Sequence, residues 1–302
     1  MNGIKRWKKW LGQDNMYSIR KNDILLDVFN NINDYVEYID NPKNNKPGRE
    51  DASHSDDKRF TGTSSYEEAK DLLQFGDEKT LDEIKKIQRE LKIDKLLGNN
   101  INKKKSYMDV VGYQPCVPLF LNGVPNCMIA DEKTKTDFKI LNLYLNFCVS
   151  AYVRANDLQR AGAIHAMMID LLEKKGYRIN LYVGDVSTCC GETIMNCVKV
   201  KTDREPLNLK KLAFAIANPS MLRRIGFKYT EVCESTVDFT NNSYGKPVED
   251  ENRIKDILSD RFKTEFMVFS YQNIGHDFNI ENMIKKIEEK GIHLNLEEAY
   301  EN

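Results

Sequence analysis

From Phe138 onward the chain changes its hydrophobic period in a fixed order, and that order restricts the fold more than any single residue does. Ile140 to Phe147 is an apolar, strand-like run. Asn156 and Asp157 open a helix that reaches Lys175, where Gly176 stops it. Tyr177 to Val183 and Glu192 to Lys201 read as second and third strands, and the short gap from Gly184 to Gly191 fits an antiparallel hairpin. Asn208 then caps a helix with Leu209, Leu212, Ala213 and Ile216 on one face, and Pro219 at a first-turn position restarts it through Arg223 and Arg224. Phe227 to Cys233 reads as a strand, Glu265 to Tyr271 as another, Asn279 to Lys290 as a helix ended by Gly291, and Ile292, Leu294 and Leu296 as a last strand. A strand, a long helix, two tightly joined strands, then helix and strand again describe an α/β sheet whose third strand is antiparallel at an edge.

The N-terminal part has a different texture. Lys5, Arg6, Lys8 and Lys9 alternate with Trp7 and Trp10, which reads as a short terminal helix packing its indoles or as an anchor for an anionic surface. Ile24, Val28, Ile32, Tyr35 and Ile39 form a helical stripe over 23–39, and Asn41 to Asp57 reads as a flexible loop. Capping-box spacing at Ser64 with Glu67, or Ser65 with Glu68, starts a helix that Gly76 closes; Thr80 with Glu83 starts the next. Asn122-Gly123 between apolar flanks reads as a type I′ turn. With 302 residues at roughly 150 per domain, the chain divides into a helix-rich α+β N-terminal region with polar linkers, 1–135, and an α/β domain, 136–302.

Charge and motif content exclude several functions. Lys and Arg number 45 against 46 Asp and Glu, for a net charge of −1, which argues against a broad nucleic-acid-binding surface. No apolar run approaches the roughly 18 residues that span a bilayer, and the N-terminus lacks the apolar centre of a secretory signal, so an intracellular protein without a membrane span is expected. The seven cysteines are odd in number and form no CxxC, so spacing encodes neither a disulfide framework nor a zinc site. His54, His165, His276 and His293 share no metal-ligand spacing, and His165, in mid-helix among apolar positions, reads as a packed imidazole. The chain has no GxxxxGK[ST], no GxGxxG after a strand, no HExxH and no GxSxG.

The order of elements resembles the von Willebrand factor A domain, a Rossmann-type sheet with an antiparallel edge strand. That resemblance implies a DxSxS motif at the end of the first strand, presenting a carboxylate and two hydroxyls to Mg²⁺ at the strands' carboxyl ends. Here the place reads NFCVS, with Asn146, Cys148 and Ser150: an amide replaces the carboxylate and a soft thiol the first hydroxyl. The motif is therefore degenerate and no cofactor is expected; were Mg²⁺ bound, Ser150, Asp185 and Ser187 are the remaining oxygen donors. Arg223 and Arg224 are the exposed-site candidates, able to cap helix carbonyls or to grip an anion, and Arg160 joins them as a possible partner or anion contact.

Four segments in order, FTGTSSYEEAKDLLQFGD (60–77), VPLFLNGVPNCM (117–128), QRAGAIHAMMIDLLEKKGYRINLYV (159–183) and LKKLAFAIANPSMLRRIGFKYTE (209–231), resemble a family of uncharacterised tailed-bacteriophage proteins with a von Willebrand A-like C-terminal half. The resemblance implies a protein-interaction platform with a phage or host protein partner, serving as an assembly, virion or host-takeover adaptor. It would reside in the cytoplasm of the infected bacterial host or on the virion. The alternative reading is a metal-assisted hydrolase or nuclease acting on phosphate esters or nucleic acid at the strand ends.

Overall fold

The computed structural model describes residues 8–10, 16–46, 48–49, 51–90, 106–112, 114–131, 139–273 and 280–292. Strands β1 (Lys8–Trp10), β2 (Met16–Lys21) and β3 (Ile24–Phe29) precede helix α1 (Ile32–Asp40). The stripe expected to be one helix over 23–39 is therefore split. Leu25, Leu26, Val28 and Phe29 are all buried, and a strand covered on both faces carries apolar residues at spacings that also satisfy a helix. Asn31 starts α1, its side chain accepting from Asp34 N.

Helices α2 (Lys58–Thr61), α3 (Tyr66–Phe75) and α4 (Glu78–Glu90) follow. Ser65 caps α3 by accepting from Glu68 N at 3.0 Å, and Glu68 answers by accepting from Ser64 N. Asp77, not Thr80, caps α4: its carboxylate accepts from Thr80 N at 2.9 Å. A small insertion comes next, with β4 (Ser106–Asp109), β5 (Gln114–Pro115), α5 (Val117–Leu121) and β6 (Met128–Asp131). Its three strands form their own sheet in the order β4-β6-β5. Asn122-Gly123 ends α5 rather than forming a two-residue hairpin.

The remaining elements are β7 (Lys139–Asn146), α6 (Ala155–Lys174), β8 (Tyr177–Gly184), β9 (Val186–Cys189), β10 (Glu192–Lys201), α7 (Leu209–Ala217), a π-helical turn (Met221–Gly226), α8 (Phe227–Val232), β11 (Lys246–Pro247), α9 (Glu251–Phe262), β12 (Phe266–Ser270) and α10 (Ile280–Glu289). The strand expected at 227–233 is α8, which continues directly out of the π turn. Of the expected last strand only Ile292 lies within the described residues.

The main sheet runs β1-β2-β3-β10-β8-β7-β12, with β9 on β10 and β11 on β9. β7 is parallel to β8 and to β12, and β10 is antiparallel to β8. The third strand of the α/β run is thus antiparallel as expected but is not an edge. β3 pairs with it in parallel from Ile24 opposite Thr193 to Phe29 opposite Val198, and β2 and β1 extend the sheet further. One sheet therefore crosses the expected boundary near residue 135, and an N-terminal strand covers the edge that β10 would otherwise expose.

Alternation along these strands builds two cores. Leu25, Phe29, Leu145, Leu181, Val183 and Val198 join the larger one with α1, α3, α4, α6 and α7; Leu26, Tyr144, Tyr182, Met195 and Cys197 meet Ile254, Ile257 and Leu258 of α9 in the other. The larger core includes the close crossing of α6 and α7 at Gly162, where an added Cβ would run into the Ile216 carbonyl and Ala217. Among the described residues no helix is long and apolar enough to cross a membrane.

Candidate functional site

A pocket of about 460 Å³ opens outside the carboxyl ends of β7 and β8, with β9, β11 and the π turn as its other walls. Ligand sites of α/β sheets form at such strand ends, because the loops there diverge. Five residues singled out in the sequence, Cys148, Ser150, Asp185, Ser187 and Arg223, line this one pocket together. The fold brings them there from two separate strand ends and the π turn.

Asn146, the last residue of β7, is fully buried beneath the pocket. Its Nδ2 donates to the Val248 carbonyl at 3.0 Å and to Ser270 Oγ at 3.3 Å, and its Oδ1 accepts from Cys148 N at 3.2 Å and Val186 N at 3.1 Å. Two donors and two acceptor sites are the whole capacity of a side-chain amide. Asn146 thus ties the loop after β7 to β9, to the residue after β11 and to the end of β12. A carboxylate there has no proton to give Val248, so the amide is what this arrangement requires.

Asp185 follows β8. Its N–H donates to Asn196 Oδ1 at 3.1 Å, and its Oδ2 accepts from Asn196 Nδ2 at 3.3 Å. Oδ1 is buried with no hydrogen-bond partner, and Gly226 of the π turn lies so close to Oδ2 that a Cβ would not fit. Burial pushes this carboxyl up to about 7, with the Asn196 hydrogen bond opposing only in part. Burial also pushes the Cys148 thiol well above its usual range, and the Asp185 charge adds to the effect. A protonated thiol is no nucleophile, and as a soft ligand it is a poor partner for a hard dication. The residues present do not suit Mg²⁺, and among the described residues no three His, Cys, Asp or Glu side chains are grouped to hold a metal.

Arg223 and Arg224 correct the expectation of an exposed anion site: both are buried. Arg224 donates to the carbonyls of Ser53, Ser55 and Thr63 and to the hydroxyls of Thr61 and Thr63, at 2.8–3.0 Å. Arg223 donates to the carbonyls of Phe60 and Val153, its guanidinium 4.1 Å from the centre of the Phe60 ring. Arg49 donates to the carbonyls of Thr230, Glu231, Cys233 and Ser235. The segment read as a flexible loop through Asp57 is therefore pinned by arginines along its second half. Arg160 is exposed on α6 and does not line the pocket.

Two other arrangements resemble catalytic groups and resolve as structure. His165 donates from Nδ1 to the Ala161 carbonyl at 2.9 Å and stacks on Tyr271, and burial holds its pKa down at about 3, so it stays neutral. Ser53, His54 and Asp51 lie in contact, which no spacing rule had singled out. Ser53 Oγ and Asp51 Oδ1 both approach the same ring nitrogen, Nδ1, at 3.0 and 2.6 Å, so no proton can pass through the imidazole from one to the other. Ser53 is fully buried, with Oγ 2.7 Å from Glu231 Oε2.

The insertion presents a different kind of surface. Val110, Val111, Val117, Phe120 and Leu121 are each between 59% and 79% exposed. Within 106–131 the only formal charges are Asp109 and Asp131. Apolar periodicity in a sequence signals burial without naming what does the burying, so this exposure was not readable beforehand. Clustered apolar exposure marks surfaces that meet partners.

A family model described as "Domain of unknown function (DUF7192)" matches residues 13–292. No curated protein and no solved structure matches the chain.

Proposed function

The chain belongs to the DUF7192 family, a domain of unknown function, and we propose that it is a protein-interaction platform without a reaction of its own. The observation that carries this reading is the exposure of Val110 and Val111, just after β4, and of Val117, Phe120 and Leu121 on α5, beside a small sheet that covers none of them. The strand-end pocket supports it from the other side, because Asn146 spends both amide atoms on the protein and Cys148 is held as a thiol. The strand order β10-β8-β7-β12, with β10 antiparallel, supports a von Willebrand A-like platform. In this reading the platform is phage-encoded and works as an assembly, virion or host-takeover adaptor, in the host cytoplasm or on the virion.

The test is a comparative capture. The full chain and its Phe120→Asp and Leu121→Asp variants are used as bait in infected-cell extract, with Tyr152→Ala as the control, since Tyr152 is 95% exposed beside the pocket instead. A protein retained by the wild type and by Tyr152→Ala but lost at least tenfold by both insertion variants, at unchanged melting temperature, supports the platform. Equal capture by all four chains counts against it. A rise in melting temperature with millimolar Mg²⁺ that Asp185→Asn abolishes favours the metal-assisted hydrolase reading instead.

A further inference from the structure

Strands β5 and β6 are antiparallel, with Gln114 opposite Ile129 and Pro115 opposite Met128. One step along the same register sets Cys116 opposite Cys127. The ladder continues to that point, since Cys116 N donates to the Cys127 carbonyl at 2.7 Å. Residues directly opposite in an antiparallel pair hold their Cα atoms about 4.5–5.5 Å apart with both side chains on one face. Disulfides span Cα separations of about 4.4–6.8 Å. Both thiols are free and half-buried, within reach of a small oxidant.

No other pair among the cysteines meets these conditions. Cys189 and Cys190 bring their sulfurs within 3.5 Å, but consecutive residues sit about 3.8 Å apart at Cα, below the usual disulfide span. Cys148, Cys197 and Cys233 are buried.

We infer that Cys116 and Cys127 are a modification site, a thiol pair that closes an intrachain disulfide by exchange with a low-molecular-weight disulfide such as oxidised glutathione. The thiolate of one cysteine attacks a glutathione sulfur, forming a mixed disulfide and expelling one glutathione thiolate. The other cysteine then attacks the protein sulfur of that mixed disulfide and expels the second glutathione. The protein gives up two electrons, and its two thiol protons end on the two glutathione thiols.

The bond would close a loop that contains α5, Phe120 and Leu121. Strands of two to four residues give such a unit little cohesion of its own, so a covalent closure changes it more than it would change a large core. Closing a loop of about a dozen residues removes enough unfolded-state freedom to lower local opening by about 100-fold. The inference goes beyond the proposed interaction role and holds or fails without it.

The experiment uses the full chain equilibrated in glutathione buffers of rising oxidised fraction, then alkylated and mapped by mass spectrometry. The expected result is that two of the seven thiols become protected together, in a linked peptide joining Cys116 to Cys127. Amide exchange over 117–126 should slow by up to about 100-fold and recover on addition of dithiothreitol. Cys116→Ser and Cys127→Ser should each abolish both effects. Alkylation of all seven thiols at every poise overturns the inference, as does a product that stops at the mixed disulfide or a bridge that maps to Cys189 and Cys190.

Discussion

Asn196 holds Asp185 from two directions, accepting its backbone N–H at 3.1 Å on Oδ1 and donating to its carboxyl at 3.3 Å from Nδ2. A neutral amide steers a carboxyl without supplying the positive charge that would offset its burial. The same Asn196 lies opposite Asp27 in the parallel register of β10 and β3. Asp27 is also buried, accepts from the Tyr229 hydroxyl at 2.9 Å, and is pushed up to about 6 by burial. Two buried carboxyls, each raised by its burial, therefore neighbour one amide.

Stability should fall as pH rises through these groups. An unfolded Asp titrates near 3.9, while Asp185 in the fold titrates at about 7. Between those values the folded state binds more protons than the unfolded one, so unfolding free energy declines from about pH 4 to pH 7 and levels off above. Asp27 adds a change of the same sign between about pH 4 and its folded value of about 6. Urea denaturation at pH 5, 6.5 and 8 checks this: Asp185→Asn should be more stable than the wild type at pH 8, by a few kcal/mol at most, and the gap should shrink towards pH 5. A gap that does not vary with pH would sink the assignment.

Restoring the carboxylate of the metal motif should harm the fold rather than recover a site. In Asn146→Asp the Val248 carbonyl and Ser270 Oγ lose their donor, and a buried charge faces them with no cation near. A loss of about 3–5 kcal/mol is expected, in the range for an unpaired buried charge. Thermal melts with and without 5 mM Mg²⁺, roughly the upper end of what a Mg²⁺ linkage test needs, should show the same lowered midpoint. Recovery of the midpoint by Mg²⁺ alone would show that the strand end still accepts a metal.

The elements that were legible are those set off by glycines: Gly176 between α6 and β8, Gly184 at the end of β8 and Gly191 before β10. Helix α6 with Gly176 at its end, β8 and β10 all fell where period and punctuation placed them. Strand β3 did not, because Leu25, Leu26, Val28 and Phe29 are buried on both faces and lack the alternation that marks a strand. Its pairing with β10 joins residues about 170 apart, which no local pattern encodes. At the strand ends, the convergence of Cys148, Ser150, Asp185 and Ser187 followed from the general placement of α/β sites. The fate of Arg223 and Arg224 did not follow, since a guanidinium that clamps carbonyls and one that waits for an anion are the same residue until the segment carrying Ser53 and Thr63 is seen to lie against them.

Arg224→Lys tests that clamp. Arg224 reaches five oxygens with a rigid fork, and an ammonium has three donors on a flexible stem, so at least two buried acceptors lose their partner. A cost of about 2–4 kcal/mol is expected from the stranded groups. Limited proteolysis should show the first new cleavage between residues 49 and 65, ahead of global unfolding. Cleavage elsewhere first would mean that the segment is held by something other than the arginines.

Gly162→Ala sets two effects of opposite sign against each other. In a helix interior alanine is favoured over glycine by about 1 kcal/mol, so α6 taken alone should gain. At the crossing with α7, however, the new methyl group would fall inside contact distance of the Ile216 carbonyl and of the Ala217 Cα and Cβ. Two of those three atoms are backbone, so no rotamer change relieves the clash and the helices must separate, opening the larger core on both sides. Overpacking of this kind costs about 1–3 kcal/mol before the propensity gain is credited, and separation of the helices adds to it. The expected net result is destabilisation by about 1–2 kcal/mol, measured as a lower urea midpoint at unchanged slope. An unchanged or raised midpoint would show that α6 and α7 do not approach as closely as their packing requires.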